Sequence, residues 1–107
     1  MRLTIEAFRE GTMLEMHLKE LGIDYPHAGE EVGPGPYSMR ITAPDDAREV
    51  RLSVDDGPWQ PCRRENGHWW FDWSGDRPGE HVAVTRMIED DGSLLIGQPR
   101  LFTVKPR

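Results

Sequence analysis

Hydrophobic and polar residues alternate along several short stretches of this chain, which is the pattern of strands buried on one face. Trp69, Phe71 and Trp73 share one face of such a stretch, while Trp70 lies on the other. Strands of this length, separated by short turns, predict an all-β antiparallel sandwich. The predicted strands lie at residues 37–43, 50–54, 59–63, 69–73, 80–88, 94–96 and 100–104.

Turn signals separate these strands. Asn66-Gly67 predicts a type I′ hairpin, because both central residues of that turn need a positive φ. The acidic pairs Asp45-Asp46, Asp55-Asp56 and Asp90-Asp91 also fall between strands, where aspartate side chains accept hydrogen bonds from nearby amides. We therefore interpret them as turn residues, since no regular calcium-binding loop surrounds them.

The periodicity becomes helical near the N-terminus. Leu14, Leu18 and Leu21 recur at the spacing of one helical face, which predicts a short amphipathic helix over residues 13–21. Gly22 is placed to end it, as glycine often does after the last helical turn. So short a helix is not stable alone in water, and its leucine face must pack on something.

The sequence predicts a single domain with an N-terminal extension. In residues 1–36 we expect a weakly indicated strand over 1–9, the helix, and a connector rich in proline and glycine over 24–36. Residues 37–107 form the predicted sandwich. A chain of 107 residues is long enough for one hydrophobic core.

Three segments together resemble a known family. They are VRLSVDDGPWQP at residues 50–61, the tryptophan-bearing strand that follows, and PGEHVAVTRMIEDDG at residues 78–92. This pattern is similar to bacterial immunoglobulin-like or fibronectin-like sandwiches, above all the C-terminal domain of sulfite oxidase-type molybdoenzymes. The resemblance covers roughly residues 37–105 and implies the fold, but this scaffold carries many unrelated functions.

Charge and composition reduce the number of functions and partners that this sequence is expected to have. A net charge of −6 argues against partners such as duplex nucleic acid or anionic membranes, which favour basic surfaces. The single cysteine, Cys62, excludes an intramolecular disulfide. No apolar run is long enough for a spanning helix, and no signal-peptide core is visible, so we expect a cytoplasmic protein.

No catalytic signature is visible in the sequence. The four histidines, at positions 17, 27, 68 and 81, lack the spacing of metal ligands, and neither a nucleophile motif nor a phosphate-binding loop occurs. Cys62 is interpreted as a spectator thiol. We therefore predict that the chain is not an enzyme and holds neither a metal ion nor a cofactor.

The leading hypothesis is a non-catalytic interaction module that binds another protein or a copy of itself. In the strand over 80–88 both faces are largely apolar, although one face of a sandwich strand normally meets water. We expect the helix to cover the outer face, in its own chain or swapped onto a second one. The predicted binding residues are Leu14, Leu18, Leu21, Val82, Val84 and Ile88.

A carbohydrate-binding module is the alternative. The spacing of Trp59, Gly67-His68-Trp69 and Pro78-Gly79-Glu80 resembles the starch-binding module of glycogen-branching enzymes, which is also an immunoglobulin-like sandwich. That resemblance implies a polysaccharide partner. Since alternation places Trp69 and Trp73 inside, Trp59 and Trp70 are the residues predicted to stack on a glucan.

Overall fold

The computed structural model describes residues 20–107, and in this range the backbone forms β-strands and no helix. The strands are β1 Gly22–Tyr25, β2 Glu31–Val32, β3 Gly35–Thr42, β4 Ala47–Val54, β5 Gln60–Pro61, β6 Arg63–Glu65, β7 His68–Gly75, β8 Gly79–Glu89, β9 Leu94–Ile96 and β10 Arg100–Val104. Sheet A has the strand order β1-β3-β7-β6, and sheet B has the order β2-β10-β8-β4-β5 with β9 also paired to β8. In this range all strand pairs are antiparallel except β2 with β10.

The core lies between the two sheets and is filled from alternate positions of each strand. In β7, Trp69 and Phe71 are buried, while Trp70 on the opposite face is half-buried. Trp73 lies partly buried at the edge of the core. The predicted all-β sandwich is therefore confirmed. The residues below 2 % exposure include Met39, Ile41, Val50, Leu52, Thr85, Met87, Phe102 and Val104.

The hairpin between β6 and β7 has the predicted turn. Asn66 and Gly67 have φ of 54° and 78°, so both central residues are left-handed as a type I′ turn requires. The stretch predicted as one strand over 59–63 is instead divided, with β5 at the edge of sheet B and β6 at the edge of sheet A. Pro61 has no N–H to donate, and the chain crosses between the sheets at Cys62.

The C-terminal end predicted for the helix is wrong, because Gly22 belongs to a strand. Residues 13–19, with Leu14 and Leu18, lie outside the described part of the chain, as does the strand expected over 1–9. Gly22 does not form a left-handed cap but begins β1. Ile23 is buried and pairs with Ile41 of β3, because an edge strand satisfies its backbone groups and buries this side chain at once.

The segment over 24–36, expected to be an extended connector, forms part of both sheets. It contains the end of β1, all of β2 and the start of β3, so the boundary expected after residue 36 falls inside β3. Its backbone is paired with β10: the Gly29 N–H donates to the Leu101 carbonyl at 2.7 Å, and the Lys105 N–H to the Val32 carbonyl at 2.9 Å. This pairing is between residues distant in sequence, which local composition does not indicate.

Candidate functional site

The outer face of sheet B carries the residues predicted to bind a partner. In β8, Ala83 and Met87 are fully buried, and the alternate positions Val82, Val84 and Ile88 point away from the core. These three side chains are half-buried rather than fully exposed. The predicted division of the strand into two apolar faces is therefore correct.

Two neighbouring strands extend this apolar surface. Leu101 of β10 lies opposite Val82, and in β9 Leu94 lies opposite Ile88. Directly paired residues of antiparallel strands share a face, so these side chains also point outward. Leu101 is 63 % exposed, Leu94 56 % and Ile96 52 %. We call the set Val82, Val84, Ile88, Leu94, Ile96 and Leu101 the outer apolar face.

One cation interrupts the outer apolar face and is partly masked by a tryptophan. The guanidinium carbon of Arg86 lies 4.7 Å from the centre of the Trp59 ring. Such a cation–π contact stabilises a charge that has been removed from water. On the neighbouring strand, Arg51 lies directly opposite Arg86 and forms an ion pair with Glu49, whereas the buried Nε of Arg86 has no hydrogen-bond partner among the described residues.

Leu21 has a different place from the one predicted. It is 9 % exposed and belongs to the core between the sheets, not to the outer face. A methyl group added at Gly97 would lie 3.4 Å from the Leu21 Cγ, so this leucine lies beside the residue that follows β9. It therefore packs in the core close to the end of β9.

The outer face of sheet A is a row of alternating aromatic and cationic residues. Tyr25, Arg40, Trp70 and Arg63 lie opposite one another on successive strands. The Arg40 guanidinium carbon lies 4.7 Å from the centre of the Tyr25 ring. Every member of this row already has a partner in the same sheet.

Hydrogen bonds hold the same row in place. The Trp70 indole N–H donates to the Glu65 carbonyl at 3.1 Å. Arg40 donates to Asp24 at 3.0 Å, and Arg63 donates to Asp72 at 3.2 Å. These carboxylates neutralise the arginines, so the face is polar and internally paired.

The two tryptophans predicted to bind a glucan do not lie together. Trp70 points outward from sheet A, whereas Trp59 lies over Arg86 on the outer side of sheet B. The two rings therefore lie on opposite faces of the sandwich, and both are only half-exposed. A common stacking platform of both rings is not formed.

A buried histidine joins two turns at one end of the sandwich. The His81 Nδ1 lies 2.6 Å from the Asp55 Oδ2, and its Nε2 lies 2.8 Å from the Arg77 carbonyl oxygen. Both partners are acceptors, so both ring nitrogens donate and the ring is an imidazolium. The other Asp55 oxygen accepts from the Val82 N–H at 2.9 Å. Asp55 is able to do this from a left-handed turn position with φ of 53°.

The pKa values of the pair reflect this arrangement. Burial alone lowers the pKa of His81, but the hydrogen bonds to Asp55 and to the Arg77 carbonyl, with the Asp55 charge, raise it overall. Burial raises the pKa of Asp55, but the bonds from His81 and Val82 hold it below its usual value. A cleft of about 440 Å³ opens beside the pair and is lined partly by Trp73 and Asp76. Sequence alone did not indicate this site, because its two residues are 26 positions apart.

The cysteine and the possible metal-ligating side chains singled out in the sequence form no binding site within the described range. Burial raises the pKa of the Cys62 thiol to about 12. Among residues 20–107, no group of three or more His, Cys, Asp or Glu side chains is placed to hold a metal ion. No helix in that same range is long and apolar enough to cross a membrane.

Comparison with solved structures identifies the fold as a fibronectin III-like, immunoglobulin-like β-sandwich. The chain superimposes on the fibronectin(III)-like modules of Clostridium thermocellum CbhA with a TM-score of 0.68 and 18 % identity, covering 80 % of this chain and 96 % of that one. CopC from Methylosinus trichosporium OB3b matches with a TM-score of 0.61 and 18 % identity, covering 83 % and 95 %. At these identities the matches show the fold alone.

Two other similar chains are much longer than this one. The chain spans 21 % of an engineered protein, with a TM-score of 0.70 and 16 % identity over 85 % of this chain. It spans 19 % of a modular endo-β-1,4-mannanase from Cellulomonas fimi, with a TM-score of 0.64 and 17 % identity over 83 % of this chain. No protein-family model and no curated protein matches the sequence. These four matches support the sandwich part of the resemblance, and none of the four is named as a sulfite oxidase or a branching enzyme.

Proposed function

We propose that this chain is a non-catalytic interaction module whose binding surface is the outer apolar face of sheet B. The observation that carries the proposal is the exposure of Leu94, Ile96 and Leu101 beside the half-buried valines of β8. Contiguous exposed apolar surface of this kind marks sites of association in soluble proteins. The partner that suits it best is a second copy of the chain.

Self-association follows from the chemistry of the face. An apolar surface is complementary to itself, so the same patch on two copies can meet across a two-fold axis. Sheets pack face to face at a spacing of about 10 Å when their facing side chains are apolar. Arg86, in the middle of the face, is already stacked on Trp59, and this contact offsets part of the cost of burying its charge.

A catalytic role has less support. The buried histidine, His81, has both ring nitrogens occupied, by Asp55 and by the Arg77 carbonyl, and so has no free nitrogen for proton transfer. The CbhA and CopC neighbours are consistent with a module rather than an enzyme. Carbohydrate binding remains the alternative, but it would depend on a single half-exposed ring, Trp59 or Trp70.

Sedimentation velocity of the full chain between about 1 and 300 µM tests this function, because that range covers the affinities of weak and moderate protein complexes. We expect dimers that Leu101→Arg converts to monomers, since the charge would be buried at the interface. The control is Ser38→Arg, which places the same charge on the outer face of sheet A, opposite Asp72. A monomeric wild-type chain over the whole range would contradict the proposal.

A further inference from the structure

The outward side of β8 carries opposite charges on either side of its two valines. The outward positions of this strand run from Glu80 through Val82 and Val84 to Arg86. Ala83 lies at the midpoint between the two charged residues. Six residues of strand place the α-carbons of Glu80 and Arg86 roughly 20 Å apart.

Neither charge forms an ion pair within the described part of the chain. Glu80 is exposed and is absent from the ion pairs of residues 20–107, as is Arg86. The Arg86 guanidinium lies over the Trp59 ring, and its buried Nε has no hydrogen-bond partner among the described residues. Its neighbour across the strand pair, Arg51, is also a cation, and like charges directly opposite destabilise a sheet. A carboxylate brought to Arg86 from outside would therefore be stabilising.

The strands beside β8 increase the difference between the two ends of the face. Thr103 pairs with Glu80, and Glu31 pairs with Thr103, so Glu31 extends the row of Glu80 with a second acid. At the other end Arg51 lies in the row of Arg86, and the ion pair of Arg51 leaves Arg86 as the unbalanced charge. The surface thus has an acidic end, an apolar middle and a basic end.

Two copies that meet face to face across a two-fold axis can align their β8 strands in two ways. An axis along the strands makes them parallel, so that Glu80 faces Glu80 and Arg86 faces Arg86. An axis across the strands at Ala83 makes them antiparallel, so that Glu80 of each copy faces Arg86 of the other. Val82 of each copy then meets Val84 of the other. Complementary charges fix the register of an interface, and they favour the antiparallel arrangement.

We infer that two copies of this chain bind through their outer apolar faces with antiparallel β8 strands, so that Glu80 of each copy pairs with Arg86 of the other. This inference rests on the proposed self-association and adds its geometry. Sheets stacked about 10 Å apart leave these two long side chains within reach of each other. Leu101 lies opposite Val82, hence level with Val84 of the other copy, and stays inside the contact.

Charge reversal tests the pairing by sedimentation velocity of the full chain. Glu80→Arg places two like-charge contacts in each dimer, and so does Arg86→Glu, so we expect each variant to dimerise at least about tenfold more weakly than the wild type. An equimolar mixture of the two variants regains both attractive contacts and should form dimers at concentrations where either variant alone is monomeric. The control is Glu65→Arg, which makes the same change in net charge as Glu80→Arg but on β6 of sheet A, where Arg63 keeps its ion pair with Asp72. It should dimerise normally.

A second set of variants keeps the test independent of the contact between Arg86 and Trp59. Arg86→Met removes the charge and retains a long side chain. In that background Glu80→Arg no longer meets a cation, so the weakening that it causes in the wild type should disappear. A weakening of the same size in both backgrounds would overturn the pairing.

The outcomes separate this inference from the function on which it rests. If Leu101→Arg abolishes the dimer while Glu80→Arg dimerises like the wild type, the faces bind in another orientation, which overturns the inference and leaves the binding face in place. If both reversed variants are weakened and their mixture is not restored, the two charges do not meet and the inference is again wrong. A monomeric wild-type chain overturns both. Dimers that return only in the mixture are the result that we expect.

Discussion

The Asp55–His81 pair makes the stability of this sandwich depend on pH in a defined direction. The His81 pKa is raised above its ordinary value of 6.5 and the Asp55 pKa is lowered below 3.8. The stability due to His81 is therefore fully present below pH 6.5 and is lost as the pH rises through its raised folded-state pKa. The stability due to Asp55 is present above pH 3.8 and is lost as the pH falls through its lowered folded-state pKa.

Asp55→Asn is the informative perturbation. Asparagine also tolerates the left-handed backbone, so the change removes the charge and not the turn. A hydrogen bond to a charged group contributes about 1.5–3 kcal/mol, against about 0.5–1.5 kcal/mol for a neutral one. We expect the variant to lose about 2 kcal/mol of unfolding free energy near pH 5.5, and clearly less above the His81 pKa.

Urea unfolding of the wild-type protein and of the Asp55→Asn variant between about pH 4 and pH 9 measures this difference in unfolding free energy. The matched control is Asp56→Asn, because Asp56 is the next residue, is exposed and also has a positive φ of 60°. It should leave stability unchanged within about 0.5 kcal/mol. A loss in Asp55→Asn that is equal at every pH, or a similar loss in Asp56→Asn, would refute the imidazolium assignment.

Three further predictions concern particular residues of the sandwich. The Thr85 hydroxyl is buried without a hydrogen-bond partner among the described residues, so Thr85→Val should raise stability by about 1 kcal/mol in thermal unfolding; a comparable loss would contradict this. Gly67→Ala should lower it by about 1 kcal/mol because the residue has φ of 78°, whereas Gly33→Ala, in open space without a positive φ, should not. Titration with maltooligosaccharide should leave tryptophan fluorescence unchanged, since Trp59 and Trp70 lie on opposite faces; saturable quenching would favour the carbohydrate alternative.

Local patterns were sufficient for much of the fold. The alternation around Trp69 and Phe71 identified the buried side of β7, and Asn66-Gly67 identified its hairpin, because strand faces and tight turns depend on neighbouring residues. Composition failed over residues 24–36, where prolines and glycines suggested a connector. There the backbone is ordered by pairing with β3 and β10, which are distant in sequence.

The candidate site was predicted only in part. The apolar pattern at Val82, Val84 and Ile88 was visible in the sequence, but the contribution of Leu101 was not. That leucine reaches the face through the register of β10 on β8. The His81 site was missed for the same reason, since His81 lies in β8 and its partner Asp55 in the turn after β4, and the two meet only in the folded sandwich.

The most direct test of the binding surface is a dilution series of ¹⁵N spectra of the full chain, from about 1 mM to about 20 µM. Self-association through the outer apolar face predicts concentration-dependent shifts of the amide signals of β8 and β9 and of Leu101. The signals of β3 and β7, whose outer face is internally paired, should stay fixed. Spectra that do not change with concentration, or changes confined to sheet A, would contradict self-association through the outer apolar face.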